Sequence, residues 1–360
     1  MTPTDDHTKA FEAVQRAVPI TRMVDYGVPL GDALRVHATP NQLARTTWDM
    51  ACSALAMSHT QAAQAAAQQG AHATAAWSWR SASALWQCAQ LAYTQDTARK
   101  RELYASAHGA LASHASLAGD MAPKVIRADG VDLYTWEVRP ATPAHGWVLV
   151  LGGLSGWGGV YLDMGRALAL RGLAVTLVEG PGQGLTRMWS QAYATANRLA
   201  LLRACLDDAA QAGAQRFGVW GNSFGGLFAS HLAVQDHRVS ALCVNGAPMA
   251  PTWPDFRTPR EQMLAAFGLT QEGDAKDALA QLALTPGRHV AAADVLVLEG
   301  GQDPLVPLGS QKTFWDLAPG QTHDLMTWPD GEHTLYNHAE ARNAHVADWF
   351  AQRLGPGRTP

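Results

Sequence analysis

The octapeptide VWGNSFGG, residues 219–226, sets one serine, Ser223, between glycines at the end of an apolar run. Core packing does not explain it, because a serine contributes almost no apolar burial. A glycine-rich turn would accommodate it. A third reading is chemical. G-x-S-x-G between a strand and a helix is a sharp turn that lifts a nucleophilic hydroxyl above a sheet edge. The pattern is weak alone, so its flanks must carry it. FGVW reads as a strand, and GGLFASHLAV begins a helix at once. A helix N-terminus there favours developing negative charge.

A serine hydroxyl is a poor nucleophile at neutral pH and needs a base. For this kind of turn the expected chain order is serine, acid, histidine. After the apolar run VLVLEG comes GGQDPLVP, with Asp303 in the turn beyond the strand end. After DLMTWPD comes GEHTLYNH, with His333 in the next such turn. His333 would take the Ser223 proton, and Asp303 would fix its tautomer and stabilise the imidazolium. Competitors are poorer. Asp330 and Glu332 flank His333 too closely to orient its ring. His338 falls at a helix start, His323 begins a strand at the wrong end of the sheet, and His231 lies two turns into the helix after Ser223.

An oxyanion needs two convergent N–H donors. Phe224, next to the nucleophile, offers one. The loop LGGLSGWGG offers the other, from Leu154 with Gly153 as second choice. The glycines of that loop allow close backbone approach, though a tight turn alone would also use them. The turn PGQG after Glu179 is read as structural, with Glu179 tying loops down.

These residues need a scaffold, and the chain supplies a rhythm for one. After Pro123, VDLYTWEV, WVLVLGG, LAVTLVEG, FGVWG, VSALCVNGAP, VLVLEGG and DLMTWPD read as strands. Between them GVYLDMGRALALRG, YATANRLALLRACLDDAAQAG, SFGGLFASHLAV and SQKTFWDLA read as helices, and EARNAHVADWFAQRL closes the chain. Buried strands alternating with helices predict an α/β fold with a doubly wound, mostly parallel sheet. Such sheets hold ligands at the carboxyl ends of their strands. Residues 249–287 break the rhythm with two short helical pieces, either a short lid or a surface excursion.

Before residue 122 the chain is rich in Ala, Gln and Trp. FEAVQRAV, the run from Thr47 to Gly70 and the run from Thr74 to Ala118 have helical spacing. Trp77, Trp79, Trp86 and Tyr93 are expected in that region's own core. The predicted domains are therefore 1–122, all helical, and 123–360, which carries the sheet. Amphipathic helices gain most of their stability from packing, and sites often form at domain interfaces. The helical domain is accordingly expected to roof the site and to offer a homodimer interface.

Composition excludes several classes. Of 360 residues, 47% are apolar and 16% charged, which is a globular balance. A net charge of −4 gives no footprint for nucleic acid or an anionic membrane. The four cysteines, Cys52, Cys88, Cys205 and Cys243, are widely spaced, which predicts free thiols and no zinc framework. The acidic start has no apolar signal region, and no run approaches the roughly 18 residues a span needs. The expectation is a cytoplasmic protein with a small-molecule substrate, no cofactor and no metal.

These motifs resemble the α/β-hydrolase superfamily, and within it the group with a helical N-terminal domain. The features shared are the helical front, LGGL, EGPGQG, GNSFGG, GGQDPLVP and GEHTLYN, over roughly residues 50 to 355. The resemblance implies a Ser223–Asp303–His333 triad. It also implies a glutamate directly after LGGL in the carbon–carbon bond-cleaving member. Here that position is Ser155, which cannot move protons as a carboxylate can at neutral pH. Hydrolysis of an ester-type acyl bond is therefore expected. The substrate would be medium-sized and apolar or aromatic, with Ser155, Trp157, Trp189, Met249 and Trp253 as substrate contacts and Met188 nearby. The alternative is carbon–carbon hydrolysis of an aromatic β-diketone-like compound. A non-catalytic binding protein on the same fold would predict a broken triad, whereas all three members are present.

Overall fold

The structure, a computed structural model, describes residues 3–39 and 46–355. Two compact units divide the chain, Met1–Ala122 and Pro123–Pro360.

The first unit is helical: α1 (Pro3–Ala17), α2 (Ile20–Asp25), α3 (Leu30–Ala38), α4 (Trp48–Gln68), α5 (His72–Gln90) and α6 (Ala98–Ala118). The Thr74–Ala118 run is thus two helices. Thr97 caps α6 by accepting the Lys100 N–H at 3.1 Å, and Gly119 ends it in the left-handed region. The short turn after α4 makes α4 and α5 antiparallel neighbours. Small residues let α5 approach closely on both sides: Ala75, Ala76, Ser78, Ala82, Ser83 and Ala89 are all buried. Ser83 donates to the Ala107 carbonyl at 2.8 Å, and the Trp48 indole N–H to the Cys88 carbonyl at 2.9 Å. The core residues include Trp48, Leu85, Leu103, Tyr104 and Leu111. The four aromatics expected there stand nearer the surface: Trp77 is 55% exposed, and Trp79, Trp86 and Tyr93 are half-buried. The small residues occupy the inward faces instead.

The second unit, with Met121 and Ala122 at the start of its first strand, holds an eight-stranded sheet. Its strands are β1 (Met121–Ala128), β2 (Val131–Val138), β3 (Gly146–Leu151), β4 (Leu173–Glu179), β5 (Phe217–Asn222), β6 (Val239–Asn245), β7 (Asp294–Gly300) and β8 (His323–Trp328). Their order is β1-β2-β4-β3-β5-β6-β7-β8. β2 runs antiparallel to β4, and the pairs from β4 through β3 to β8 are parallel. The continuous apolar runs of β3, β4, β5 and β7 are buried along their length, as two-sided cover requires.

The helices of this unit are α7 (Leu162–Ala169), α8 (Gly184–Met188), α9 (Ala196–Leu199), α10 (Arg203–Gln211), α11 (Phe224–Gln235), α12 (Arg257–Phe267), α13 (Glu272–Gln281) and α14 (Ala339–Leu354). Alternate strand residues face opposite sides. Leu149, Leu151 and Val219 join one apolar cluster with Leu227 and Phe228 of α11. The neighbouring Trp220 faces Phe350 of α14 across 6.5 Å. The long helix expected over residues 193–213 is interrupted by a 3-10 turn at Ala200–Leu202. SQKTFWDL likewise coils as a 3-10 turn. Residues 249–287 form α12 and α13, whose Met263, Phe267, Ala275 and Leu279 are buried in the cluster that holds Phe224. All four cysteines are free and buried, and burial pushes the Cys88 and Cys205 thiols up to about 12. Among the described residues no helix is long and apolar enough to cross a membrane.

Candidate active site

β5 ends at Asn222, and α11 begins at Phe224. The single residue between them must reverse the chain. Ser223 does so with φ 54 and ψ −131, outside the regions a serine ordinarily adopts. Such a conformation costs about 1–3 kcal/mol and persists only where the surroundings impose it. They do so here through glycines. A side chain at Gly221 would collide with the Gly225 backbone, and one at Gly225 with the Gly152 carbonyl. The two glycines of the motif therefore allow β3, β5 and α11 to meet at the serine.

Three loops at the carboxyl ends of β5, β7 and β8 bring three side chains into line. Asp303 follows β7 in a turn where its Oδ1 accepts the Leu305 and Val306 N–H groups at 2.8 and 3.1 Å. Its Oδ2 lies 2.8 Å from His333 Nδ1. His333 Nε2 lies 2.9 Å from Ser223 Oγ. A carboxylate only accepts, so Nδ1 carries the proton and Nε2 is free to accept from the serine hydroxyl. The Asp303 side chain is 2% exposed and the His333 side chain 13%. The acid is thus shielded while the base remains reachable.

The competing groups are engaged elsewhere. Asp330 pairs with His338 at 2.9 Å. His323 stacks on Trp315, with ring centroids 5.6 Å apart. His231 is buried and bonds the Leu282 carbonyl at 2.8 Å; burial lowers its pKa below the usual histidine value.

The loop after β3 passes directly over the serine. A Cβ added at Gly153 would sit 2.9 Å from Ser223 Cβ and 3.3 Å from its Oγ, so only glycine fits without displacement. The Gly153 carbonyl accepts from Gln183 Nε2 at 3.0 Å and from the Trp157 indole at 3.1 Å. Gln183 Nε2 also donates to the Gly152 carbonyl. A trans peptide points its C=O and N–H in opposite directions. Fixing the Gly153 carbonyl therefore fixes the Leu154 N–H on the far side of that peptide. Phe224 opens α11, so its N–H has no acceptor within the helix.

Gln183 carried no spacing signal in the sequence beyond its place in PGQG, which was read as a turn. Its neighbour in function is Glu179, whose Oε2 accepts the Leu185 N–H at 2.6 Å. The expected substrate contacts fall in different settings. Trp157 is buried, with the Arg187 guanidinium 5.1 Å over its ring, and its indole supports the loop. Ser155 is half-buried. Met249 and Trp253 are half-buried against the cluster that includes Phe224. Trp189 is 46% exposed, and Met188 is buried.

A family model described as the alpha/beta hydrolase fold matches residues 146–285. The 2,6-dihydropseudooxynicotine hydrolase of Paenarthrobacter nicotinovorans is 26% identical to this chain, over 94% of this chain and 92% of that protein. A crystal structure of 2,6-dihydroxy-pseudo-oxynicotine hydrolase superposes with a TM-score of 0.82 at 22% identity, covering 94% of this chain and 97% of that one. The structure titled AbyA5 follows with a TM-score of 0.68 at 18% identity, covering 84% and 89%. Sheet order, helical front and these likenesses agree: the chain has the α/β-hydrolase fold.

Proposed function

We propose that this protein is a serine hydrolase working through an acyl-enzyme on Ser223. The observation that carries the reading is the unbroken line from Asp303 through His333 to Ser223, with contacts of 2.8 and 2.9 Å. Ser223 Oγ attacks the substrate carbonyl carbon, and its proton passes to His333 Nε2. Asp303 holds the Nδ1 proton and stabilises the imidazolium. The Phe224 and Leu154 amides receive the charge on the carbonyl oxygen. Collapse breaks the bond to the leaving group, which takes the proton from His333. Water then attacks the acyl carbon and gives a proton to His333. The acyl–Oγ bond breaks, the proton returns to Ser223, and a carboxylic acid leaves.

The leaving group is an alkoxide or phenoxide in our reading, so the substrate is an ester of medium size with apolar or aromatic character. Ester cleavage needs no proton handling beyond His333. Three carboxylates at the strand ends already have partners: Glu179 the Leu185 N–H, Glu299 the Gly309 N–H and Asp303 the His333 ring. The family resemblance implies a glutamate after LGGL in a carbon–carbon hydrolase, and this chain has Ser155 there.

Carbon–carbon hydrolysis is the second reading, favoured by the likeness to the pseudooxynicotine hydrolase over nearly the whole of both chains. There the leaving group would be the enolate of an aromatic β-diketone-like compound, protonated from His333. A panel of aryl esters against aromatic β-diketones separates the two. Our reading predicts turnover of esters well above that of diketones. Rapid diketone cleavage with marginal ester turnover would assign the second reading.

A further inference from the structure

The proposal rests on the serine-hydrolase reading and concerns what holds its nucleophile and base in register. β5 and β6 end side by side, and Asn222 is the register partner of Asn245. Both are buried, at 2% and 1% exposure. The Asn245 carbonyl accepts the Ser223 N–H at 2.7 Å. Its side-chain Nδ2 donates to Asn222 Oδ1 at 2.9 Å and to the Thr334 carbonyl at 3.0 Å. Asn245 thus touches the residue before the nucleophile, the nucleophile's own amide and the residue after the base.

The Thr334 carbonyl has a second donor. Arg342 of α14 reaches it with Nη1 at 2.8 Å, and its Nε and Nη2 hold Asn343 Oδ1 at 3.0 and 2.9 Å. Arg342 is fully buried. A buried guanidinium is expensive unless its hydrogen bonds are made. Spending one on a main-chain carbonyl marks a position that must not move.

The backbone at that point explains why. Thr334 and Leu335 have φ of 52 and 62, so two consecutive side-chain-bearing residues after His333 are left-handed. For a β-branched residue that conformation is unfavourable. Gly246, following Asn245, has φ 63, and a Cβ there would press the Thr334 amide at 3.2 Å and Asp303 Oδ2 at 3.4 Å. The β6 end is therefore packed against the base loop and the acid together. Ser223 is strained as well. Strained conformations on both sides of the Ser223–His333 contact share one tie.

We propose that Asn245 is a positioning residue, a clamp that joins the nucleophile turn to the His333 loop and sets the Oγ–Nε2 contact. Arg342 completes the clamp from α14. Neither residue touches the reacting atoms.

A fluorophosphonate probe reads the clamp without knowledge of the substrate. Ser223 Oγ forms a bond to phosphorus, fluoride leaves, and the hydroxyl proton passes to His333. The inactivation rate constant and the binding constant of the probe are measured separately for wild type, Asn245→Ala, Asn245→Asp and Asn245→Ser, with melting temperature alongside. Misplacing a reacting group by about 1 Å costs about 100-fold in rate. The expected result is a rate constant down by about that factor in the folded Ala and Asp variants, with probe binding within about threefold of wild type. Ser, with one short donor, should recover part of the loss. A merely structural role would lower the melting temperature and leave the rate constant of the folded fraction unchanged; that result overturns the proposal. Failure of all three variants to fold would assign the tie to the fold alone and overturns it too. Absence of labelling in wild type would instead refute the serine-hydrolase reading itself.

Discussion

Asp303 faces His333 with one carboxylate oxygen and its own loop with the other. Oδ2 meets His333 Nδ1 at 2.8 Å, while Oδ1 accepts two main-chain N–H groups. The acid therefore cannot rotate without losing its loop contacts, and the imidazole ring is aimed by a fixed group. Asp303→Asn keeps this shape but can present an N–H to Nδ1, which then favours the wrong tautomer. Loss of the orienting carboxylate in a well-studied triad costs about 10⁴-fold in kcat. We expect a drop of that order with KM little changed, measured on the best ester found. A loss under tenfold would remove Asp303 from the mechanism.

Gln183 holds the carbonyls of Gly152 and Gly153 from a buried position. Gln183→Ala leaves the Trp157 indole as the remaining side-chain donor to Gly153. The loop should then drift and the Leu154 amide lose its aim. The expected fall in kcat is about 10–100-fold, with about 1–3 kcal/mol of stability lost from the Gly152 carbonyl left without its side-chain donor. Steady-state kinetics and chemical denaturation check the two effects. Unaltered kcat with lowered stability would confine Gln183 to folding.

Stability should depend on pH through histidines whose burial, near complete for His231 and partial for His37 and His108, disfavours their charged form. Burial lowers the pKa of His231, and likewise those of His37 and His108, below the ordinary value near 6.5. Below that value the unfolded chain binds protons that the folded chain refuses, so stability falls as pH falls. The stabilisation is complete above about pH 6.5 and is lost as pH drops toward the folded values. Melting temperature is expected to decline from pH 7 to pH 5. His231→Gln, which removes one of these groups, should flatten part of that decline. An equal slope in both proteins would contradict the role given to His231.

Much of this architecture was legible because it rests on local signals. The continuous apolar runs of β3, β4, β5 and β7 can only be buried strands, and the turns after β5, β7 and β8 announced Ser223, Asp303 and His333 by residue type. Other elements gave weaker signals. β1 is largely exposed and contains Pro123, which suits an edge strand but breaks the usual pattern. Residues 193–213 have helical composition throughout, and only tertiary packing decides where the helix breaks. Trp77 looked like core because of its size, yet small residues on α5 took the inward face. Gln183 and Asn245 were hidden for a different reason. Gln183 reaches the Gly152 and Gly153 carbonyls, and Asn245 the Thr334 carbonyl and Asn222 Oδ1, all far away in sequence, so neither type nor spacing reveals them.

The central claim is that Ser223 is the nucleophile, and the direct measurement is intact-protein mass spectrometry after fluorophosphonate treatment, with peptide mapping. The account predicts one adduct per chain, located on the peptide containing Ser223 and absent in Ser223→Ala, which should fold as wild type does and lose turnover by several orders of magnitude. An adduct on another residue, or near wild-type kcat in Ser223→Ala, would contradict it.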